Sequence, residues 1–253
     1  MMDEQRDWGL LAADLATWIG GQVAKTGMTG TVVGISGGLD SAVVAALCRR
    51  AVGDRAHGLI LPCHSEPTDL ADALAVARHI GIQTITVDLA GAYDALLDVL
   101  PGCEAPDEEA VTPAAARLAR ANLKPRLRMS ALYYLANRRR LLVVGTSNRS
   151  EIHVGYATKH GDAGVDLQPL AKLLKREVRA LAAHLAIPPR IIDRPPSAGL
   201  WPGQTDEAEL GLTYAELDEY LASGEGRPEA VARIDRLHQA SKHKRRLPAT
   251  PEA

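Results

Sequence analysis

The chain lacks the features that would anchor it in a membrane or staple it covalently. Its longest uncharged apolar stretches are short runs such as residues 31–35 (TVVGI) and 141–146 (LLVVGT), far below the ~20 residues that cross a bilayer. No membrane span is expected. Cysteine is scarce: Cys48, Cys63 and Cys103 stand far apart without C-x-x-C spacing, which argues against a zinc site or disulfide framework and fits a reducing, cytoplasmic location. There is little charge of one sign, with 29 basic residues against 31 acidic ones and a formal charge of −2, so charge alone recruits no nucleic acid. No secretion signal opens the chain; residues 1–21 carry acidic residues early and apolar ones at helical spacing, an amphipathic helix. What remains, 46% apolar and 24% charged over 253 residues, is the composition of an ordinary globular chain with ample core.

The pattern along the chain is strand alternating with helix. Strands are expected at 31–35, 57–62, 83–89 and 141–145. Helices are expected at 40–52, 70–80 and 93–100, with a long helical stretch around Arg126, Arg128 and Met129 before the last strand. Such alternation predicts an α/β fold with a parallel sheet flanked by helices. Residues 155–169 are rich in Gly and Asp with little periodicity, and 188–203 hold five prolines; loops of that length are usually functional or mobile. There is no internal repeat, so one domain over 1–253 with C-terminal elaborations is expected.

The segment Ser36-Gly37-Gly38-Leu39-Asp40-Ser41 falls between the first strand and its helix. Paired glycines let backbone N–H groups approach a polyanion, and the following helix offers unpaired N–H groups and a positive dipole end. Phosphate is the natural ligand. Asp40 conflicts with a bare anion unless a divalent cation lies between carboxylate and phosphate, so the loop implies magnesium as well as nucleotide. It is neither GxxxxGK[ST] nor GxGxxG. The plain alternative is a Gly-rich turn in which Asp40 caps a helix. Glu151, in the loop after the last strand, lies where open α/β sheets bind ligands and is able to meet Asp40 across one metal; otherwise it is a solvated carboxylate. Lys175 begins the helical segment KREVRALAAHLA, where a surface cation is the ordinary reading.

SGGLDS resembles the pyrophosphatase loop of the N-type ATP pyrophosphatases, and four further segments, NLKPRLRM (122–129), GTSNRSEIHVGYATKHGDAGVDLQPLAKLLKREVR (145–179), RPPSAGLWPGQTDEAELGLTYAELDEYL (194–221) and SKHKRRLP (241–248), resemble ammonia-dependent NAD synthetases. The likeness runs from about Trp8 to Pro248. It implies the adenine-nucleotide alpha-hydrolase-like (Rossmann-like) fold, ATP contacts at Gly34, Ile35, Ser36, Gly37, Gly38, Leu39, Asp40, Ser41, Thr146, Lys175 and Ser197, and magnesium on Asp40 and Glu151. Ser197 stands where many members have threonine. The resemblance further assigns Arg126, Lys159, Asp166, His243 and Lys244 to deamido-NAD, Arg126 across a dimer interface, and puts Asp162 close enough to the reacting centre to bind or deprotonate ammonium. The segment from about residue 223 to 253 is implied to cover the site.

The activity so implied is a ligase that makes NAD from deamido-NAD, ATP and ammonia through an adenylate, releasing AMP and diphosphate. Glutamine-using relatives carry a separate amidase domain for which this sequence has no room, so free ammonia is the expected nitrogen source, with a separate glutaminase subunit left open. A homodimer is implied; neither nucleic acid nor membrane is an expected partner. Two rivals keep the same loop: a tRNA-modifying or other amide-forming ATP pyrophosphatase, and a non-catalytic nucleotide sensor. Sulfur transfer calls for an accessible thiol of low pKa, and Cys63 is the one plausible candidate.

Overall fold

Apolar residues on successive strand positions serve opposite faces of one sheet. The computed structural model describes residues 6–100 and 112–251. Strands β1 (Gly30–Gly34), β2 (Ala56–Ile60), β3 (Gln83–Thr86) and β4 (Leu141–Val144) pair in parallel in the order β3-β2-β1-β4. Val32, Leu141 and Val143 point into one core, and Val33, Leu142 and Val144 into the other. This period of two, apolar on both faces, is what a sheet covered on both sides requires.

The helices are α1 (Trp8–Thr26), α2 (Leu39–Val52), α3 (Pro67–Ile80), α4 (Ala90–Val99), α5 (Pro113–Ala121), α6 (Leu123–Arg139), α7 (Arg149–Val154), α8 (Lys175–His184), α9 (Pro189–Ile192), α10 (Asp206–Leu210), α11 (Tyr214–Ser223) and α12 (Pro228–Ala240). Ile19 of α1, Val43 and Leu47 of α2, Val76 of α3, and Val178 and Leu181 of α8 fill the first core without exposure. Each such side chain contributes ~1.5–3 kcal/mol; Leu181→Ala, which leaves a hole against α2, would cost ~2–5 kcal/mol. That burial fixes α8, and with it Lys175 at its first turn. Residues of α4 and α6, among them Tyr93 and Ala136, cover the other face. A third cluster joins Val154, Leu210, Tyr214, Leu217 and Ile234, so that α7, α10, α11 and α12 hold together beside the sheet.

Element ends differ from the sequence pattern where backbone chemistry intervenes. β2 stops at Ile60 and β3 at Thr86 instead of 62 and 89, although Val87 N still donates to Ile60 O at 2.9 Å and Leu89 N to Pro62 O at 2.8 Å. Pro62 has no N–H with which to continue the ladder. Helix α1 begins at Trp8, with Asp7 as its cap accepting from Leu10 N at 2.9 Å, and its first turn holds no acidic residue. The acidic Asp3 and Glu4 lie outside the described residues, as does Cys103. The aperiodic segment 155–169 runs alongside β4 at Asp166 and Leu167, through a parallel bridge between Leu167 and Val144 and backbone hydrogen bonds to Val143 and Gly145.

Candidate active site

Strand β4 returns to the far side of β1, so the sheet order reverses between these two neighbours. Ligands of open α/β sheets lodge at such a point, outside the carboxyl ends of the strands. The loop after β1 is closed by its own hydroxyls. Ser36 Oγ lies 3.0 Å from Ser41 Oγ, Ser41 Oγ donates to Gly38 O at 3.0 Å, and Gly38 N donates to Ser36 Oγ at 3.2 Å. Gly37 sits at φ +83°, and a Cβ there would meet Asp69 O at 2.8 Å and Ala73 N at 2.9 Å, so α3 leaves room only for glycine.

Asp40 does not cap α2. The capping position is Gly38, without a side-chain hydrogen bond. The Asp40 carboxylate instead accepts from Lys175 Nζ at 2.5 Å and from Asn148 Nδ2 at 2.9 Å. Lys175 Nζ also donates to Glu151 Oε1 at 3.0 Å, and its side chain is only 4% exposed. Neither the solvated-carboxylate reading of Glu151 nor the surface-cation reading of Lys175 therefore describes this fold. Asn148 and Glu151 form a reciprocal capping box at the start of α7, which fixes both side chains relative to β4.

Burial lifts the Glu151 carboxyl to about 7, with Lys175 opposing the rise and Asp40 adding to it. Burial acts against the charged form of Lys175, but Asp40 and Glu151 outweigh it and hold the ammonium pKa above its ordinary range. Tyr214 stacks its ring 5.0 Å from Lys175 Nζ and donates its hydroxyl to Asp206 Oδ2 at 2.9 Å, 3.4 Å from Glu151 Oε1. The other Asp206 oxygen is buried and accepts no hydrogen bond among the described residues. Acceptors thus outnumber donors here. Two hard carboxylate oxygen donors, already bridged by one cation and with a further carboxylate beside them, fit the chemistry of a divalent cation such as magnesium.

These groups open into a cavity of about 880 Å³, large enough for nucleotide-sized ligands. Of the residues singled out in the sequence, Gly34, Ile35, Ser36, Gly38, Leu39, Asp40, Ser41, Thr146, Glu151, Asp162, Lys175, Ser197 and Lys244 line it. Gly37, Arg126, Lys159, Asp166 and His243 do not. Arg126 is exposed and donates to Lys159 O at 3.3 Å. The Asp166 carboxylate accepts from Tyr133 OH at 2.9 Å and Val143 N at 2.8 Å, which ties it to the sheet. Asp162 lines the cavity; burial raises its pKa, opposed by the Thr158 N–H, Lys244 and Arg128. Lys244 donates to Gly155 O and Ala157 O at 2.8 and 2.7 Å, so the segment after α12 borders the same space. Cys63 is buried, and burial pushes its thiol up, the opposite of what sulfur transfer requires.

Sequence reasoning missed Asn148, Asp206, Tyr214 and Arg128, which donates to Leu61 O at 3.0 Å from the cavity wall. Asn148-x-x-Glu151 carried a readable signal, the spacing of a capping box. Tyr214 carried none, standing 63 positions from Glu151.

The NAD synthase family matches residues 11–248. The NH(3)-dependent NAD(+) synthetase of Carboxydothermus hydrogenoformans is 44% identical over 245 residues, covering 97% of this chain and 98% of that protein. Among solved structures, NMN synthetase from Francisella tularensis superposes with a TM-score of 0.89 at 36% identity, covering 98% of this chain and 100% of that one. NH3-dependent NAD synthetase from Campylobacter jejuni gives 0.79 at 28%, with the same coverage. The match extends over nearly the whole sequence and the whole fold, and the chain belongs to the NAD synthase family.

Proposed function

We propose that the chain is an amide-forming ligase that converts deamido-NAD to NAD at the expense of ATP, with ammonia as the nitrogen donor and AMP and diphosphate as by-products. The observation that carries this reading is the meeting of Asp40, Glu151 and Lys175 beside the closed Ser36–Ser41 turn, inside one cavity at the ends of β1 and β4. A carboxylate resists amidation because its leaving group would be oxide. In the first step a nicotinate oxygen attacks the α-phosphorus and the α–β bridging bond breaks, giving a mixed anhydride and diphosphate. Ammonia then attacks the acyl carbon, AMP departs, and a proton is lost.

Backbone N–H groups of residues 36–41 and the Lys175 ammonium are suited to hold the phosphates and offset their charge. Magnesium, on Asp40 and Glu151, would neutralise the leaving diphosphate. Thr146 and Ser197 are assigned hydroxyl contacts to ATP. Asp162 is assigned the proton taken from ammonium, a role its position on the cavity wall and its raised carboxyl pKa support. Deamido-NAD is assigned to Lys244 and, beyond the cavity lining, to Lys159, Asp166, His243 and Arg126. The exposure of Arg126 away from the cavity supports its acting from a second copy, and a homodimer is part of this proposal. So are a single catalytic domain, a cover formed by the tail beyond about residue 223, and action in the cytoplasm.

A second reading follows from the 0.89 superposition on an NMN synthetase, in which the acceptor is the mononucleotide. Incubation with ATP, magnesium and either deamido-NAD or nicotinate mononucleotide separates the two, with ammonium and glutamine in parallel arms. NAD from ammonium with diphosphate in equal amount is the expected result. Faster turnover of the mononucleotide favours the second reading, and AMP formed only with another acceptor contradicts both.

A further inference from the structure

Among the described residues, five cationic side chains line the main cavity: Arg128, Lys175, Arg179, Arg194 and Lys244. Four are already engaged. Lys175 bridges Asp40 and Glu151, Arg194 pairs with Asp69 and Asp72, and Arg128 and Lys244 donate to backbone carbonyls. Arg179 has no hydrogen bond or ion pair among the described residues, and it is exposed where it borders the cavity.

Its place is informative. Arg179 follows Lys175 by four positions on α8, so both side chains rise from one face of that helix. α8 packs against α2, whose first turn forms the end of the Ser36–Ser41 loop. An unpaired guanidinium is thus held one helical turn from the ammonium at the loop. A triphosphate tail brings more negative charge than one ammonium, already shared by two carboxylates, is able to offset. A guanidinium supplies what an ammonium does not, two parallel N–H donors matched to two phosphate oxygens.

We infer that Arg179 grips the terminal phosphates of ATP and retains the diphosphate as the adenylate forms. This rests on the ATP-cleaving reading above and adds to it a residue that the family likeness leaves without a role. The rival explanation is a solvated helix cation that touches no ligand.

The test uses the full-length protein, Arg179→Ala and Arg179→Lys. Because the side chain is exposed, both variants are expected to keep the parent's thermal midpoint. Magnesium diphosphate titrated into each by calorimetry, a measurement that needs no turnover, should bind Arg179→Ala roughly tenfold or more weakly than the parent, with Arg179→Lys in between. In steady state the KM for ATP and the inhibition constant of diphosphate should rise in step, while the KM of the nicotinate acceptor stays fixed. Equal diphosphate affinity in parent and Arg179→Ala overturns the assignment even if the enzyme is active. A parent that binds diphosphate but never releases it from ATP overturns the functional reading instead, leaving the calorimetric comparison to judge Arg179 as an anion-binding residue.

Discussion

Lys175 Nζ stands 2.5 Å from Asp40 Oδ2, joining residues 135 positions apart, and the same ammonium reaches Glu151 at 3.0 Å. Removing one partner of a buried ionic group leaves uncompensated charge, at a typical cost of about 3–5 kcal/mol. Lys175→Met should therefore lose both turnover and stability in denaturant titrations without magnesium. Added magnesium, as a replacement cation between the two carboxylates, should restore more stability to the variant than it adds to the parent. An unchanged unfolding midpoint in the metal-free variant would show that the triad is not electrostatically closed.

The pH dependence follows from Glu151, whose carboxyl rises from 4.5 to about 7 in the fold. Between those values the folded state binds more protons than the unfolded one, so this group's contribution to stability declines as pH rises through that window. Glu151→Gln has no such titration. The metal-free parent should lose stability relative to Glu151→Gln between about pH 5 and about pH 8, and magnesium, which competes with the proton, should bind more tightly at the higher pH. Parallel stability curves for the two proteins would contradict the assignment.

Gly37→Ala tests the shape of the phosphate loop. Its positive φ costs an L-residue roughly 1–2 kcal/mol, and the added methyl meets α3 backbone at 2.8–2.9 Å. The variant should fold with a lower thermal midpoint and a raised KM for ATP, because the loop shifts away from α3. A parent-like KM for ATP would mean that the loop tolerates the displacement.

Cys63→Ala separates ligation from sulfur transfer. The thiol is buried with its pKa raised and behaves as a small apolar filler. Turnover per folded molecule should match the parent, with a modest loss of stability. Loss of activity with an intact fold would revive a thiol-based mechanism.

The sheet was legible because strands buried on both faces leave short, nearly unbroken apolar runs, as in residues 31–35 and 141–145, and because the Ser36–Ser41 turn ends one of them with paired glycines. The ends of β2 and β3 were not, since Pro62 breaks the ladder while leaving the composition apolar. At the site, the loop alone implied phosphate and a cation. The partnership of Lys175 with Asp40 depends on how α8 packs against α2, which no local spacing encodes, and Tyr214 and Asp206 reach the cluster only because the third apolar cluster folds α10 and α11 against α7. Asp166 is a contrasting case: its carboxylate fastens segment 155–169 to Val143, a structural duty that composition does not reveal.

The central claim is adenylation of a carboxylate, and oxygen-18 tracing tests it most directly. With the nicotinate carboxyl group of deamido-NAD labelled, attack on the α-phosphorus transfers one carboxyl oxygen to AMP for every amide formed. Mass spectrometry should find that label in AMP and none in diphosphate. Label in inorganic phosphate or diphosphate, or AMP without label alongside NAD formation, would contradict the mechanism.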